Sequence, residues 1–275
     1  MDESGSIIDP YEAHAGQFHF TPDDVVKLTK LPSSGKIPKI VGWSGPARSG
    51  TTGMLLLLAG HPQVDRVYFQ PQKTILRKGM PEFELYDEDA LICMKEVFGI
   101  RENEDYDPID MLLQAGIPAE NITWITFLRD PLFSFASWRN VNPTGPQVFA
   151  DSQAFTIDHF HTYRARGVKM VPFVYDLLKG DEDNVLRALI DAIGLESDNF
   201  SLTFNTEAID KKLVKGQSAE EEYFNYNIKA TFQKNKFVYS NNNYVLPPEV
   251  IKEIEEKCRP SYDEFYALAK AELQL

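Results

Sequence analysis

A glycine-rich stretch between a predicted strand and a predicted helix is the feature that most restricts how this chain can fold. The run KIVGW at 39–43 has the composition of a short strand, and TTGMLLLLAGHP, which follows Gly50, has that of a helix. We expect the helix to end at Gly60-His61-Pro62, because glycine followed by proline commonly terminates a helix. A strand, a glycine-rich loop and a helix in this order are typical of proteins that bind phosphate.

The rest of the chain predicts an α/β fold. The runs NITWITFL at 121–128 and VKMVPFVYDLL at 168–178 have strand composition, whereas 181–195 and the segment from Pro247 onward have helical patterns. Strands that alternate with helices predict a single P-loop-like α/β domain, with a central, mainly parallel sheet flanked by helices. We assign 1–37 to a polar N-terminal lead-in and 38–275 to this domain, with 215–244 as a long loop region over the site.

Composition and charge restrict the function classes. The chain has 275 residues, 43% of them hydrophobic, which suffices for a folded core, and a net charge of −13. Such acidity disfavours nucleic acid as a partner and makes any cation inside a glycine-rich loop informative. The N-terminus lacks the features of a signal peptide, no run is long enough to span a membrane, and Cys93 and Cys258 are not spaced like metal ligands. We therefore expect a cytoplasmic protein with reduced thiols and no membrane partner.

The loop itself predicts an anion site. Gly45 and Gly50 stand at the spacing of the nucleotide-binding P-loop, but Thr51 occupies the position at which that loop has its lysine. Backbone N–H groups at the start of the helix, with the hydroxyls of Thr51 and Thr52, are suited to phosphate oxygens. Arg48 supplies the positive charge, since its guanidinium can meet an oxygen-rich anion bidentately.

The run PARSGTTG resembles the loop that binds the 5′-phosphosulfate in sulfotransferases that use 3′-phosphoadenosine 5′-phosphosulfate (PAPS). The continuation LLLLAGHPQV is similar to that of bacterial-type members. The resemblance implies that the donor is bound by Arg48, Ser49, Gly50, Thr51, Thr52 and Gly53. Gly53 is a departure, because many members have tryptophan there, where it helps to hold the adenine.

A second, independent run, RDPLFSFASWR, resembles the segment that binds the 3′-phosphate in the same family. It implies that Arg129 and Ser137 hold that phosphate, and VPFVYDLL adds Tyr175 to the donor site. The usual Arg-Lys-Gly loop is absent as such. Lys215 and Gly216 are our preferred replacement, and the lysines of FQKNKF, at 232–237, are the alternative.

The resemblance implies in-line transfer of a sulfuryl group from PAPS to a hydroxyl or amine of a small organic acceptor, neutral or cationic, with adenosine 3′,5′-bisphosphate as product. No divalent metal is expected. Arg48 would stabilise the charge on the departing oxygen, and Lys73 is the residue that we assign as second catalytic group. The general base is not fixed by the sequence, and its candidates are Lys73, Glu82, Glu84, His159 and His161.

Two other functions remain open at the level of the sequence. One is a P-loop nucleotide kinase or NTPase, which requires magnesium and would depend on Thr51. The other is a binding module that has the same fold but no turnover. The sequence does not indicate the oligomeric state.

Overall fold

The fold is described from a computed structural model, which describes residues 20–78, 83–84, 91–98, 107–139, 145–214 and 245–275. The strands are β1 (Thr29–Lys30), β2 (Lys39–Ser44), β3 (Arg66–Phe69), β4 (Phe83–Glu84), β5 (Leu91–Lys95), β6 (Ile122–Leu128), β7 (Lys169–Val174) and β8 (Leu213–Val214). The helices are α1 (Pro22–Leu28), α2 (Thr51–Gly60), α3 (Pro71–Lys78), α4 (Pro108–Gln114), α5 (Pro131–Trp138), α6 (Pro146–Ala165), α7 (Glu182–Ala192), α8 (Thr206–Lys212) and α9 (Pro248–Glu272).

A six-stranded parallel sheet in the order β7-β6-β2-β5-β3-β8 forms the centre of the molecule. The separate pair β1-β4 is also parallel. The predicted α/β domain with a central parallel sheet and flanking helices is thereby confirmed. After β2 the chain adds β3 and β5 on one side and then β6 and β7 on the other. In sheets of this kind ligands bind outside the carboxyl ends of the strands where the order reverses, which here is the end of β2.

The central strands are buried, as expected for a parallel sheet covered by helices. Trp43 on β2 and Trp124 on β6 are fully buried. A Cβ atom at Gly42 would lie 2.0 Å from the Trp124 ring, so glycine leaves the space that the indole fills. Both indole N–H groups are satisfied, by the carbonyl of Thr51 at 3.0 Å and by the Ser44 hydroxyl at 2.8 Å. The Trp43 indole therefore ties the sheet to the start of α2, and the Trp124 indole ties β6 to β2.

Most predicted elements are present, with shifted bounds. Helix α2 ends at Gly60 as predicted, β6 matches the 121–128 run, and α7 and α9 lie within the helical segments predicted for 181–195 and from Pro247 onward. The strand predicted for 168–178 ends at Val174, because residues 175–178 form a 3₁₀ turn. Strands β3 and β5 and helix α6 were not predicted from the sequence.

Part of the predicted lead-in has regular structure. Helix α1 and strand β1 lie within residues 20–37, and Val25 of α1 is buried in the main core. The boundary between 37 and 38 stays a prediction, and the predicted loop region at 215–244 lies outside the described residues. Cys93 and Cys258 are free and buried. Among the described residues, no helical segment combines the length and apolar composition that a membrane crossing requires.

Helix α9 is the longest helix of the described chain and packs against β7, α6 and α5. Its buried side chains include Cys258, Tyr262 and Phe265. Pro260 lies inside the helix, where it removes one backbone donor. This helix thus covers the side of the sheet that carries β6 and β7, and its middle turn lies near their carboxyl ends.

Candidate anion-binding site

The loop between β2 and α2 contains two glycines at positions where any side chain would clash with a neighbour. A Cβ at Gly45 would lie 2.2 Å from the carbonyl oxygen of Phe127, and one at Gly50 would lie 2.5 Å from the Tyr175 ring. Gly50 has φ 98° and is the N-cap of α2. Arg48 has φ 75°, a conformation that non-glycine residues rarely adopt. The loop is therefore held in a tight conformation by the strand beside it and by Tyr175.

The start of α2 has the features of an anion cradle. Gly50 caps the helix without a side-chain hydrogen bond, so no side chain of the cap covers the first-turn N–H groups. The hydroxyl of Ser49 is buried, and no group in the described part of the chain bonds to it. A buried polar group without a partner is costly, and a ligand oxygen would satisfy it. Ser49, Gly50 and the first turn of α2 thus fit an oxygen-rich anion.

The two phosphate motifs of the sequence meet at Arg48. Its Nε donates to the hydroxyl of Ser137 on α5 at 2.9 Å, although the residues are 89 positions apart. Arg129, at the end of β6, donates from Nη1 to the carbonyl of Arg48 at 3.4 Å. Its guanidinium also lies over the Tyr175 ring, 4.9 Å from the centroid. Arg48, Arg129, Ser137 and Tyr175, four of the predicted site residues, are therefore one cluster.

Lys95 is a cation of this site that sequence reasoning missed. It ends β5, and its Nζ donates to the hydroxyl of Thr52 at 3.2 Å and lies 4.4 Å from the centroid of the Phe69 ring. Burial lowers the pKa of Lys95 to about 7; the charge of Glu96 opposes this shift, and those of Arg48 and Lys73 add to it. The sequence does contain a signal for Lys95, because this lysine ends the apolar run LICMK. The last side chain of a parallel strand lies at the edge of the sheet where ligands bind.

Lys73, assigned above as a catalytic residue, is fully buried on α3. Its Nζ donates to the carbonyl of Val97 at 3.0 Å. It is close enough to Lys95 to influence that residue's pKa, so it lies beside the site. A lysine that donates to a carbonyl serves best as a fixed charge, and its role as base stays a prediction.

His159 belongs to a buried polar cluster beside the loop. Its Nε2 lies 3.1 Å from Asp107 Oδ1, and the hydroxyl of Tyr163 donates to the other oxygen of Asp107 at 2.5 Å. Burial acts to raise the pKa of Asp107, but the hydrogen bonds from His159 and Tyr163 outweigh it and the pKa is lowered. The His159 ring packs on Phe98, whose backbone N–H donates to the carbonyl of Gly45 at 3.0 Å. His159 is therefore held at a fixed angle near the loop.

The remaining predicted residues are placed as follows. Thr51 is buried and Thr52 half-buried in the first turn of α2, and Gly53 follows them with its N–H bonded to the Gly50 carbonyl at 3.1 Å. His161 is exposed on α6. Glu82, Lys215 and Gly216 lie outside the described residues, as do the lysines of the 232–237 run, and of Glu84 only the backbone is described. These residues stay predictions.

The described residues contain no group of three or more His, Cys, Asp or Glu side chains arranged to hold a metal ion. The cations Arg48, Lys95 and Arg129 instead lie around the loop, in a protein with a net charge of −13. Positive charge concentrated in this way favours an anionic ligand.

No family model and no curated protein matches this chain. Among solved structures, mouse sulfotransferase SULT7A1 complexed with PAP aligns with 90% of this chain and 88% of its own, at 12% identity and a TM-score of 0.42. A TM-score of 0.42 does not establish a shared fold, so fold and function rest on the residues described above.

Proposed function

We propose that this protein is a sulfotransferase that moves a sulfuryl group from PAPS to a hydroxyl or amine of a small organic acceptor. The observation that carries the proposal is the hydrogen bond from Arg48 to Ser137, which joins the two motifs that the resemblance assigns to the ends of one donor. A ligand with a phosphate at each of two positions, such as adenosine 3′,5′-bisphosphate, matches two adjacent anion sites better than a single polyphosphate does. The orphaned hydroxyl of Ser49 supports the fit.

The residues divide between the two ends of the donor. Ser49, Gly50, Thr51 and Thr52 would hold the 5′-phosphosulfate through hydroxyls and first-turn N–H groups. Arg129 and Ser137 would hold the 3′-phosphate, and Tyr175 supports Arg129 from below. Arg48 donates to Ser137 and also lies in the loop, so it would contact both phosphate regions.

Sulfuryl transfer requires the protein mainly to position the two reactants and to stabilise the charge that develops on the leaving oxygen. The bond between sulfur and the bridging oxygen breaks, and a bond from sulfur to the acceptor oxygen or nitrogen forms. The acceptor passes its proton to a general base, whose candidates are those named from the sequence. The bridging oxygen leaves with the 5′-phosphate, which gains negative charge. The guanidinium of Arg48 and the ammonium of Lys95 would offset that charge, and fixed cations of this kind reduce the barrier without reorganising. The charge of Lys73, which lies close to Lys95, would add to the same positive potential.

A nucleotide kinase or NTPase is the second candidate, and one observation favours it. Lys95 reaches Thr52 from the neighbouring strand, so the site does hold a lysine beside the first turn of α2, as nucleotide triphosphate sites do. The two functions differ in ligand. One requires a 3′-phosphate and no metal, whereas the other requires a triphosphate with magnesium.

Thermal-shift titration separates the two candidates. We expect adenosine 3′,5′-bisphosphate to raise the melting temperature without magnesium, and ATP with magnesium to have a smaller effect. Arg129→Ala and Ser137→Ala should each weaken bisphosphate binding about tenfold or more, because each removes a charge-assisted hydrogen bond to phosphate. Arg164→Ala is the control, since it removes a surface ion pair with Glu272 and a cation–π contact with the Phe160 ring, neither of which belongs to the anion site. Stabilisation by ATP with magnesium alone would refute the proposal.

Transfer from ³⁵S-labelled PAPS to a panel of small phenols, alcohols and amines then tests for turnover. Labelled product that requires both the acceptor and Arg48 supports the enzyme. Bisphosphate binding without labelled product from any acceptor class would favour the binding module instead.

A further inference from the structure

The carboxyl ends of β6 and β7 are locked together by two aspartates that directly follow site residues. Asp176 Oδ2 accepts from the backbone N–H of Asp130 at 2.5 Å. Asp130 in turn caps α5, since its Oδ1 accepts from the N–H groups of Leu132 at 3.0 Å and Phe133 at 3.2 Å. Because Asp130 follows Arg129 and caps the helix that carries Ser137, its position sets that of both.

Helix α9 reaches both aspartates from the side. Arg259 Nη1 donates to Asp130 Oδ2 at 3.0 Å, and the hydroxyl of Tyr262, one turn later, donates to Asp176 Oδ2 at 2.9 Å. The contacts join parts of the chain that are 129 and 86 residues apart. We call Asp130, Asp176, Arg259 and Tyr262 the brace.

Arg259 donates to two carboxylates, those of Glu255 and Asp130. Its Nε and Nη2 each donate to Glu255 at 2.8 Å, one turn earlier on α9, in a bidentate pair. Its Nη1 makes the third bond, to Asp130. Its side chain is 26% exposed and that of Asp130 is 20% exposed, so solvent screens the pair only in part. Arg259 is fixed by Glu255 and holds Asp130.

Tyr262 completes the brace as a neutral donor. It is buried, and burial raises its pKa, as does the charge of Asp176, so the hydroxyl keeps its proton at neutral pH. Asp176 immediately follows Tyr175, whose ring lies under Arg129 and against Gly50. Displacement of Asp176 would therefore shift the support of Arg129.

We propose that Arg259 and Tyr262 are positioning residues that set the selectivity of the site for a 3′-phosphate, acting through Asp130 and Asp176 on Arg129 and Ser137. The inference rests on the proposed function, because it concerns the 3′-phosphate end of that donor. Its consequence is that the selectivity of the site depends on a helix near the C-terminus of the chain, far in sequence from either phosphate motif.

The test is the ratio of two dissociation constants measured by calorimetry on the full-length chain, that of adenosine 5′-phosphate divided by that of adenosine 3′,5′-bisphosphate. We expect Arg259→Ala to reduce this ratio about tenfold, which corresponds to about 1.4 kcal/mol. Tyr262→Phe, which keeps the ring and removes one hydrogen bond, should reduce it less. Lys257→Ala is the matched control on α9, since it removes an i,i+4 ion pair with Glu253 and a hydrogen bond to Gln147 of α6, and it should leave the ratio unchanged.

A double variant distinguishes positioning from an independent effect on folding. If Arg259 acts through Arg129, the variant Arg129→Ala with Arg259→Ala should have the same ratio as Arg129→Ala alone. An unchanged ratio in both Arg259→Ala and Tyr262→Phe, beside a wild type that prefers the bisphosphate, would overturn this inference and leave the proposed function standing. A wild type without that preference would overturn the proposed function and the inference with it.

Discussion

The two ends of the anion site are built in different ways. The end at 45–53 is a tight loop with Gly50 in the left-handed conformation, and the neighbouring strand and Tyr175 leave its glycines no room for a side chain. The buried hydroxyl of Ser49 in this loop has no bonding partner among the described residues. The end at β6 and β7 is held from outside, by the brace that α9 makes with Asp130 and Asp176. The first is a cradle with unused hydrogen-bonding capacity, and the second is a set of side chains already bonded to one another.

The difference indicates how each end should respond to change. The loop should be sensitive to substitutions within it, because sterics and backbone conformation leave few alternatives. The strand end should be sensitive to substitutions at a distance, because charge-assisted bonds between distant elements position it. Arg48 belongs to both ends, since it lies in the loop and donates to Ser137.

The largest effect is expected at Arg48, because this residue belongs to both ends of the anion site. Arg48→Ala should reduce the rate of sulfuryl transfer about 10²–10³-fold, because a fixed cation that offsets developing charge has about this effect. Initial rates with labelled PAPS measure it. The rate of Arg48→Lys should lie between those of the wild type and Arg48→Ala, since a lysine keeps the charge but loses the planar guanidinium.

Arg48→Gly separates the side chain from the backbone. Arg48 has φ 75°, so glycine removes the guanidinium and also relieves the conformation. A rate loss equal to that of Arg48→Ala assigns the effect to the guanidinium. A glycine variant that keeps the wild-type rate would contradict the role of the side chain at both ends.

A smaller effect, on stability, tests whether the loop depends on its contact with Tyr175. Gly50→Ala should cost about 3 kcal/mol of unfolding free energy, the sum of a left-handed conformation and an overpacked contact. Gly35→Ala is the matched control, because Gly35 has φ 77° but nothing within 4 Å of its added Cβ, so only about 1 kcal/mol is expected. Urea denaturation measures both. Equal costs would mean that Tyr175 does not confine the loop.

The smallest effect concerns pH and Lys95. Its pKa is lowered to about 7 in the folded chain from an ordinary value of 10.5, so between these values the unfolded chain binds more protons at this residue. The stability of the wild type relative to Lys95→Met should therefore rise with pH from 7 to 10.5. Affinity for adenosine 3′,5′-bisphosphate should change in the opposite direction, because the anion needs the protonated lysine.

Calorimetric titrations at pH 7 and 9 measure the second effect. We expect the affinity of the wild type to fall by about tenfold more than that of Lys95→Met over this range. Lys95→Met corrects for titration of the ligand and of all other groups, because it shares them. Parallel pH profiles for the two proteins would show that Lys95 does not contact the anion.

Much of the loop could be predicted from the sequence. Glycine spacing, a strand before it and an apolar helix after it are local patterns, and the structure has β2 and α2 at those positions. The helix start at Asp130 could be predicted for the same reason, because Asp-Pro is a local capping signal. Strand β5 was missed because LICMK is short, and short apolar runs do not reveal their secondary structure by period.

The sequence by itself determined the local chemistry of this protein, namely a glycine loop at 45–50, an arginine and a serine at the spacing of Arg129 and Ser137, and an α/β class. Only the tertiary structure decided that Arg48 bonds to Ser137, that Lys95 enters the site, and that Arg259 and Tyr262 brace it. The reason is that glycine conformation, caps and apolar periods depend on neighbouring residues. Contacts across 43 to 129 residues depend on strand order and helix packing, which no local pattern specifies.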